Sequence, residues 1–245
     1  MLSQEAIRFR RLIEDSTRFP DTCDGGDYGS PQLRTIWLLG IEPGWSVEDK
    51  ANRTDEIFKR EPFNVEDELR AAGSNRFALN AFKLLAAMGG TEPTEYKRFA
   101  RQKRPFENDS GYFKGNLYPF PASNLKEWDS EAIRLTGFMN KADYINWVKG
   151  RRFQIIEEWI EKCRPSLFIG VGVSSLQDFM RVTRTDKVET CTFLVNGKNK
   201  KIHWSLNGAV PLVVVPHLSG GTNGLNSYEA IQEAANIIRR KTLCK

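Results

Sequence analysis

Three short, strongly apolar runs constrain this chain more than any other feature, because each empties into a loop of polar and turn-forming residues. The first is Thr35 to Leu39, followed by Gly40-Ile41-Glu42-Pro43-Gly44. The second is Leu167-Phe168-Ile169-Gly170-Val171, and the third is Pro211 to Val215, running into Pro216-His217. A shorter strand is expected around 113–118, ended by Pro119 and Pro121. Segments of helical period separate these runs. Phe77, Ala81, Leu84, Leu85 and Met88 mark a helix over 76–88 that Gly89-Gly90 stops. Ile145, Val148, Ile155, Ile156, Trp159, Ile160 and Cys163 mark a long helix over 142–163, broken by Pro165. Apolar strands alternating with helices imply a parallel sheet covered on both faces. The expected fold is therefore α/β: a three-layer α/β/α sandwich with a central, mainly parallel four-stranded sheet. A small β-hairpin is expected over 189–206, turning at Asn196-Gly197.

Sheets of this kind place ligand sites at the carboxyl ends of their strands. Three strand exits carry unusual polar sequences: GIEPGWS, GNLYPFPASN and PHLSGGTNG. Their coincidence marks a site before it says which one. Elsewhere, residues 4–18 read as an amphipathic helix followed by a loop rich in Gly and Asp. Ser174-Ser175-Leu176-Gln177 fits a capping box, and a last helix is expected from near Asn226 to about 241. No internal repeat interrupts the 245 residues, a length that suits one large α/β domain or two small ones.

The formal charge of +5 is modest and only tilts the odds toward a polyanionic partner. Four scattered cysteines and two histidines lack the close spacing of a zinc site. Free thiols in a reducing cytoplasm, with no metal and no cofactor, are expected. The charged N-terminus has no apolar core of a signal peptide, and no run reaches the roughly 18 apolar residues of a membrane span. A cytoplasmic monomer without a membrane partner follows as the expectation. There is no G-x-S-x-G elbow, no G-x-G-x-x-G after a strand and no P-loop lysine pattern, which weakens a hydrolase or nucleotide-binding reading.

Taken in order, these segments resemble the uracil-DNA glycosylase superfamily, in particular its branch found widely in bacteria and archaea. The resemblance covers about residues 34–240 and lies in the serial order of its motifs. They are Gly40-Ile41-Glu42-Pro43-Gly44, then Glu61-Pro62-Phe63, then the helix ending LLAAMGG, then Asn116-Leu117-Tyr118-Pro119. WIEKCRPSLFIGVGVSSLQDF follows, and His217-Leu218-Ser219 closes the series. Leu218 stands where the family has proline. Tyr118-Pro119 stands where the iron–sulfur members carry Cys-Arg-Pro, so no cluster is expected. Residues 91–113 and 122–140 read as insertions around the pocket.

The resemblance implies a single domain over residues 1–245 and excision of a flipped base from DNA by hydrolysis of the N-glycosidic bond. The substrate would be uracil-like or a bulky modified pyrimidine, such as the glucosylated hydroxymethylcytosine removed by phage-defence members. That reaction needs a placed water, a stabilised sugar cation and a stabilised anionic base. On this reading Glu42 orients or deprotonates the water, and His217 donates to the base carbonyl. Asn116 reads the Watson–Crick edge, Phe63 stacks under the base, Tyr118 joins the pocket, and Gly40 and Gly44 allow close backbone approach. Ser219, with the amides of Gly220 and Gly221, would hold a phosphate oxygen. The loop through Asn223 would enter the minor groove, with Leu225 or Leu218 as wedge. The basic segments 97–104, with Arg101 and Arg104, and 149–152 would track the DNA backbone. The alternative is a catalytically inactive module of the same fold that binds DNA or a nucleobase.

Overall fold

The computed structural model describes residues 2–44, 62–71, 76–121 and 128–243. Glu61 of the Glu61-Pro62-Phe63 match lies outside them, as do the ends of two strand-exit motifs and residues 122–127 of the second insertion. Among the described residues the helices are α1 (Gln4–Glu14), α2 (Val65–Arg70), α3 (Arg76–Met88), α4 (Tyr96–Lys103), α5 (Ser130–Thr136), α6 (Lys141–Cys163), α7 (Leu176–Val182) and α8 (Tyr228–Ile238). The strands are β1 (Gly25–Gly26), β2 (Ile36–Gly40), β3 (Tyr112–Asn116), β4 (Leu167–Val171), β5 (Glu189–Val195), β6 (Lys198–Ser205) and β7 (Leu212–Val215).

All seven strands join one mixed sheet in the order β1-β3-β2-β4-β7-β6-β5. β3, β2, β4 and β7 run parallel, whereas β1 and the β5–β6 hairpin add antiparallel to the two edges. The expected four-stranded sheet with a separate hairpin is thus corrected. β7 is apolar and buried along its whole length, and an open edge there would leave its main-chain groups without partners. β6 closes that edge, pairing His203 with Val214 and Trp204 with Val213.

Side-chain alternation sends the central strands into two cores. Leu38, Ile169, Val213 and Val215 pack with α2, α3, α4 and α8. Trp37, Leu39, Phe168 and Val214 pack with α1, α5, α6 and α7. Helices therefore cover both faces, which is why every residue of β4 and β7 is buried. No described helix is long and apolar enough to cross a membrane.

Local chemistry moves several boundaries. α1 stops at Glu14 rather than near 18, because the Asp15 carboxylate accepts from the amide and hydroxyl of Thr17. A 3-10 stretch over Ser16–Thr22, containing Pro20, then continues the chain. Most of the basic run 97–104 is helical, with Arg104 left-handed at the C-cap. Ser175 makes no capping hydrogen bond, since a 3-10 turn over Val173–Ser175 feeds directly into α7. The N-cap of α8 is Ser227, whose side chain accepts from the Ala230 amide.

Candidate functional site at the strand exits

Parallel alignment brings the exits of β3, β2, β4 and β7 to one edge of the sheet. β4 alone separates β2 from β7, so Glu42 and His217 leave strands about 10 Å apart. Gly172 lies between them with φ +117°. A Cβ there would stand 2.6 Å from Ile41 Cδ1 and 3.9 Å from His217 Cδ2, so the first and third exits close over the second.

Glu42 is nearly buried, and its carboxylate accepts from Lys141 Nζ at 2.8 Å. Lys141 opens α6 just after the cap Asn140, whose side chain accepts from the Asp143 amide. Burial raises the Glu42 pKa, and Lys141 opposes that rise by favouring the charged form. The carboxylate is therefore oriented by the Lys141 ammonium in a weakly solvated place. Tyr118 is buried beside it, and its hydroxyl donates to Asp178 at 2.7 Å. Burial and that bond push the phenol well above its ordinary range. Asp178 also pairs with Lys149, so the Tyr118 hydroxyl is held by an oriented carboxylate.

His217 sits at an exposed turn, with its ring edge-on to Phe77 at a centroid distance of 6.0 Å. The Ser219 amide donates to His217 Nδ1 at 3.1 Å, and the Ser219 hydroxyl lies 2.7 Å from the same nitrogen. An accepting Nδ1 places the proton of the neutral ring on Nε2. Desolvation lowers the His217 pKa, so the neutral form with its Nε2–H donor dominates at pH 7. The turn is clamped from behind. Asn80 Nδ2 donates to the Leu218 carbonyl at 2.6 Å, and the Leu225 amide donates to the His217 carbonyl at 2.8 Å.

Asn116 is buried at the end of β3, in register with Gly40. Its Nδ2 donates to Asp24 Oδ2 at 3.2 Å, which orients the amide. Its Oδ1 lies over Gly40, only 2.5 Å from where a Cβ would stand. Gly40 thus serves to make room for Asn116. Lys114, two residues earlier on the same face, pairs with Asp24 at 2.9 Å. Its ammonium lies 5.2 Å from the Phe63 ring and 5.5 Å from the Phe77 ring. Phe63 itself packs edge-on against Phe82 and Phe106, at the rim of the core and near the site. Lys141, Asp24, Lys114 and Phe77 were not among the residues singled out for this site. The period of two that places Lys114 beside Asn116 is the one signal that marks any of them.

The expected DNA contacts fare unevenly. Leu225 and Leu218 are both fully buried, so neither is a wedge. The amide clamps that hold the turn draw both side chains into the core beneath α8. The Ser219 hydroxyl is committed to His217, whereas Gly220 and Asn223 are exposed. Arg76, at the start of α3, reaches Gly220: its Nη1 lies 2.9 Å from where a Cβ would stand. Arg101 is exposed and Arg104 half-buried; both pair with Glu66, and Arg104 also with Glu107. In the 149–152 segment the basic side chains are paired or buried. Lys149 pairs with Asp178 and Arg151 with Glu14. Arg152 is buried and donates to the carbonyls of Leu117 and Asn116 and to Thr22.

Among the described residues no group of His, Cys, Asp and Glu is arranged to hold a metal ion, and Cys23, Cys163 and Cys191 are free thiols. His203 bonds Thr190 across the hairpin and is in register with Val214, one residue before β7 ends. No protein-family model and no curated protein matches this sequence.

Proposed function

We propose that this protein is a DNA glycosylase that hydrolyses the N-glycosidic bond of a flipped base. The observation carrying the proposal is the pairing of an oriented buried carboxylate, Glu42, with a tautomer-fixed neutral imidazole, His217, across the exit of one intervening strand. Glycosidic cleavage develops positive charge on the sugar and negative charge on the base. Groups preorganised for both are the main source of rate in such a site. Glu42 accepts a proton from, or orients, the attacking water and faces the sugar cation. His217 Nε2–H donates to the base oxygen as charge builds there. Asn116 reads the base edge, with the Phe63 and Phe77 rings beside it. Exposed Gly220 and Asn223, with Arg76, flank the same turn and suit a phosphate. On this reading the partner is DNA and the setting cytoplasmic.

The Lys141 ion pair favours a second reading. A carboxylate already neutralised by an ammonium offers less to a sugar cation, as expected of a nucleobase-binding module without catalysis. One experiment separates the two. Oligonucleotides carrying a single uracil, hydroxymethylcytosine or glucosylated hydroxymethylcytosine are incubated with the protein, treated with alkali and examined for strand breaks. Wild-type cleavage should fall on the order of 100–1000-fold in Glu42→Gln and in His217→Ala, while DNA affinity stays within a few fold. Binding without any strand break in the wild type overturns the glycosylase reading.

A further inference from the structure

Lys200 lies on β6 and is 5% exposed. Its Nζ donates to the Gly224 carbonyl at 2.7 Å and to the Thr222 carbonyl at 3.3 Å. Among the described residues no carboxylate pairs with it. A buried ammonium is costly unless its donors are satisfied, so its place under this loop calls for an explanation. The loop it bonds is the one that follows His217.

Gly224 is the mechanical link. A Cβ on it would stand 2.8 Å from both the His217 and Ser219 carbonyl oxygens, so its backbone packs directly on the turn that holds the imidazole. The Leu225 amide, one residue on, donates to the His217 carbonyl at 2.8 Å. A displacement at Gly224 therefore moves the His217 main chain and the Ser219 amide that fixes the ring. Asn80 restrains the same turn from α3 through the Leu218 carbonyl. Lys200 restrains the loop that follows it, from the hairpin that extends the sheet.

We propose that Lys200 is a positioning residue for His217: by drawing the Thr222 and Gly224 carbonyls inward it sets the turn in which the Ser219 amide fixes the imidazole tautomer. The catalytic consequence rests on the glycosylase reading, whereas the structural one does not. The hairpin then acts as a brace for the site as well as an edge for the sheet.

The test uses the two histidines of the chain. In nitrogen-15 NMR of the full-length protein, wild-type His217 should show an unprotonated Nδ1 and a protonated Nε2. His203, on the same strand as Lys200 and bonded to Thr190 Oγ1 at 2.9 Å, reports on the hairpin itself. Lys200→Met should give mixed tautomers at His217 and leave His203 unchanged. Single-turnover excision should fall about 100-fold, as expected for a catalytic group displaced by about 1 Å, with DNA affinity within a few fold. Lys200→Arg, which keeps donors for the same carbonyls, should restore much of both. If Lys200→Met does not fold, Lys200→Gln, polar but too short to reach, is read in the same way. An unchanged His217 signal overturns the proposal. So does a joint change at both histidines, which would mean that Lys200 only supports the hairpin. If the wild type excises no base, the glycosylase reading fails while the NMR result still decides the role of Lys200.

Discussion

Replacing Lys141 by methionine removes the ammonium that pairs with the Glu42 carboxylate at 2.8 Å. At an effective dielectric near 20, two unit charges at that separation attract by about 6 kcal/mol. Desolvation has already taken back part of that, and breaking a buried pair costs about 3–5 kcal/mol net. Among the described residues, Tyr118 and the Lys149–Asp178 pair beyond it bring no second cation into direct contact with the carboxylate. Glu42 in the variant escapes an unpaired buried charge by keeping its proton. Its pKa is already raised by burial, and losing Lys141 moves it further in the same direction. A base must be unprotonated to work, so the acid limb of single-turnover excision should move to higher pH. A penalty of 3 kcal/mol corresponds to a rate loss of about 100-fold on that limb, shrinking as pH rises. Stability supplies an independent reading. A carboxyl group whose folded pKa is raised contributes stability that is full below its unfolded value and is lost as pH rises through the folded one. The melting temperature of Lys141→Met should therefore drop more steeply than that of the wild type between weakly acidic and neutral pH. Lys141→Arg should keep the wild-type limb in place. A limb in Lys141→Met that stays put, or moves to lower pH, would refute the role given to this ion pair.

Gly40→Ala places a methyl 2.5 Å from Asn116 Oδ1 and must displace that amide; discrimination between bases should weaken more than DNA affinity, measured by competing substrates in one reaction. The acid limb of the wild type should lie above the ordinary carboxylate value of 4.5, because burial raises Glu42; a limb at or below that value would mean that another group governs the reaction. Arg101→Ala should reduce the slope of log affinity against log salt by about 1 if Arg101 exchanges Glu66 for a phosphate, while Arg151→Ala should leave the slope unchanged. Dialysis against EDTA should leave excision unchanged, and an activity lost and then restored by added metal would refute a metal-independent mechanism.

The strands that carry the site were legible because burial on both faces writes itself into composition. Thr35 to Leu39, Leu167 to Val171 and Pro211 to Val215 are β2, β4 and β7 to within a residue. The helix over 76–88 was equally plain from its apolar period. The place of the hairpin was not, because main-chain pairing at a sheet edge leaves no side-chain pattern. Tertiary charge pairing was equally hidden. Glu42 and Lys141 are 99 positions apart, and nothing near Lys141 distinguishes it from a solvated lysine. Arg152 misled more directly: the run Lys149–Arg152 looks like a surface patch, yet its helical period turns Arg152 inward onto Thr22 and Leu117. Leu218 and Leu225 flank a glycine-rich loop, where a leucine either plugs a core or projects. Only the amide clamps at Leu218 and His217 decide between the two.

The strand order also dictates when the site comes into being during synthesis. β2 emerges early, but its partners are β3 and β4, and Ser166, at the entry to β4, bonds the Thr35 carbonyl across 131 positions. His217 follows later still, on a strand whose outer edge is closed by the hairpin made just before it. Contacts this distant in sequence cannot form until most of the chain has left the ribosome, and their loop-closure entropy delays them further. Glu42 therefore spends most of translation without His217, so on the proposed reading a nascent or prematurely ended chain carries half a site and cannot damage the DNA of the cell that makes it.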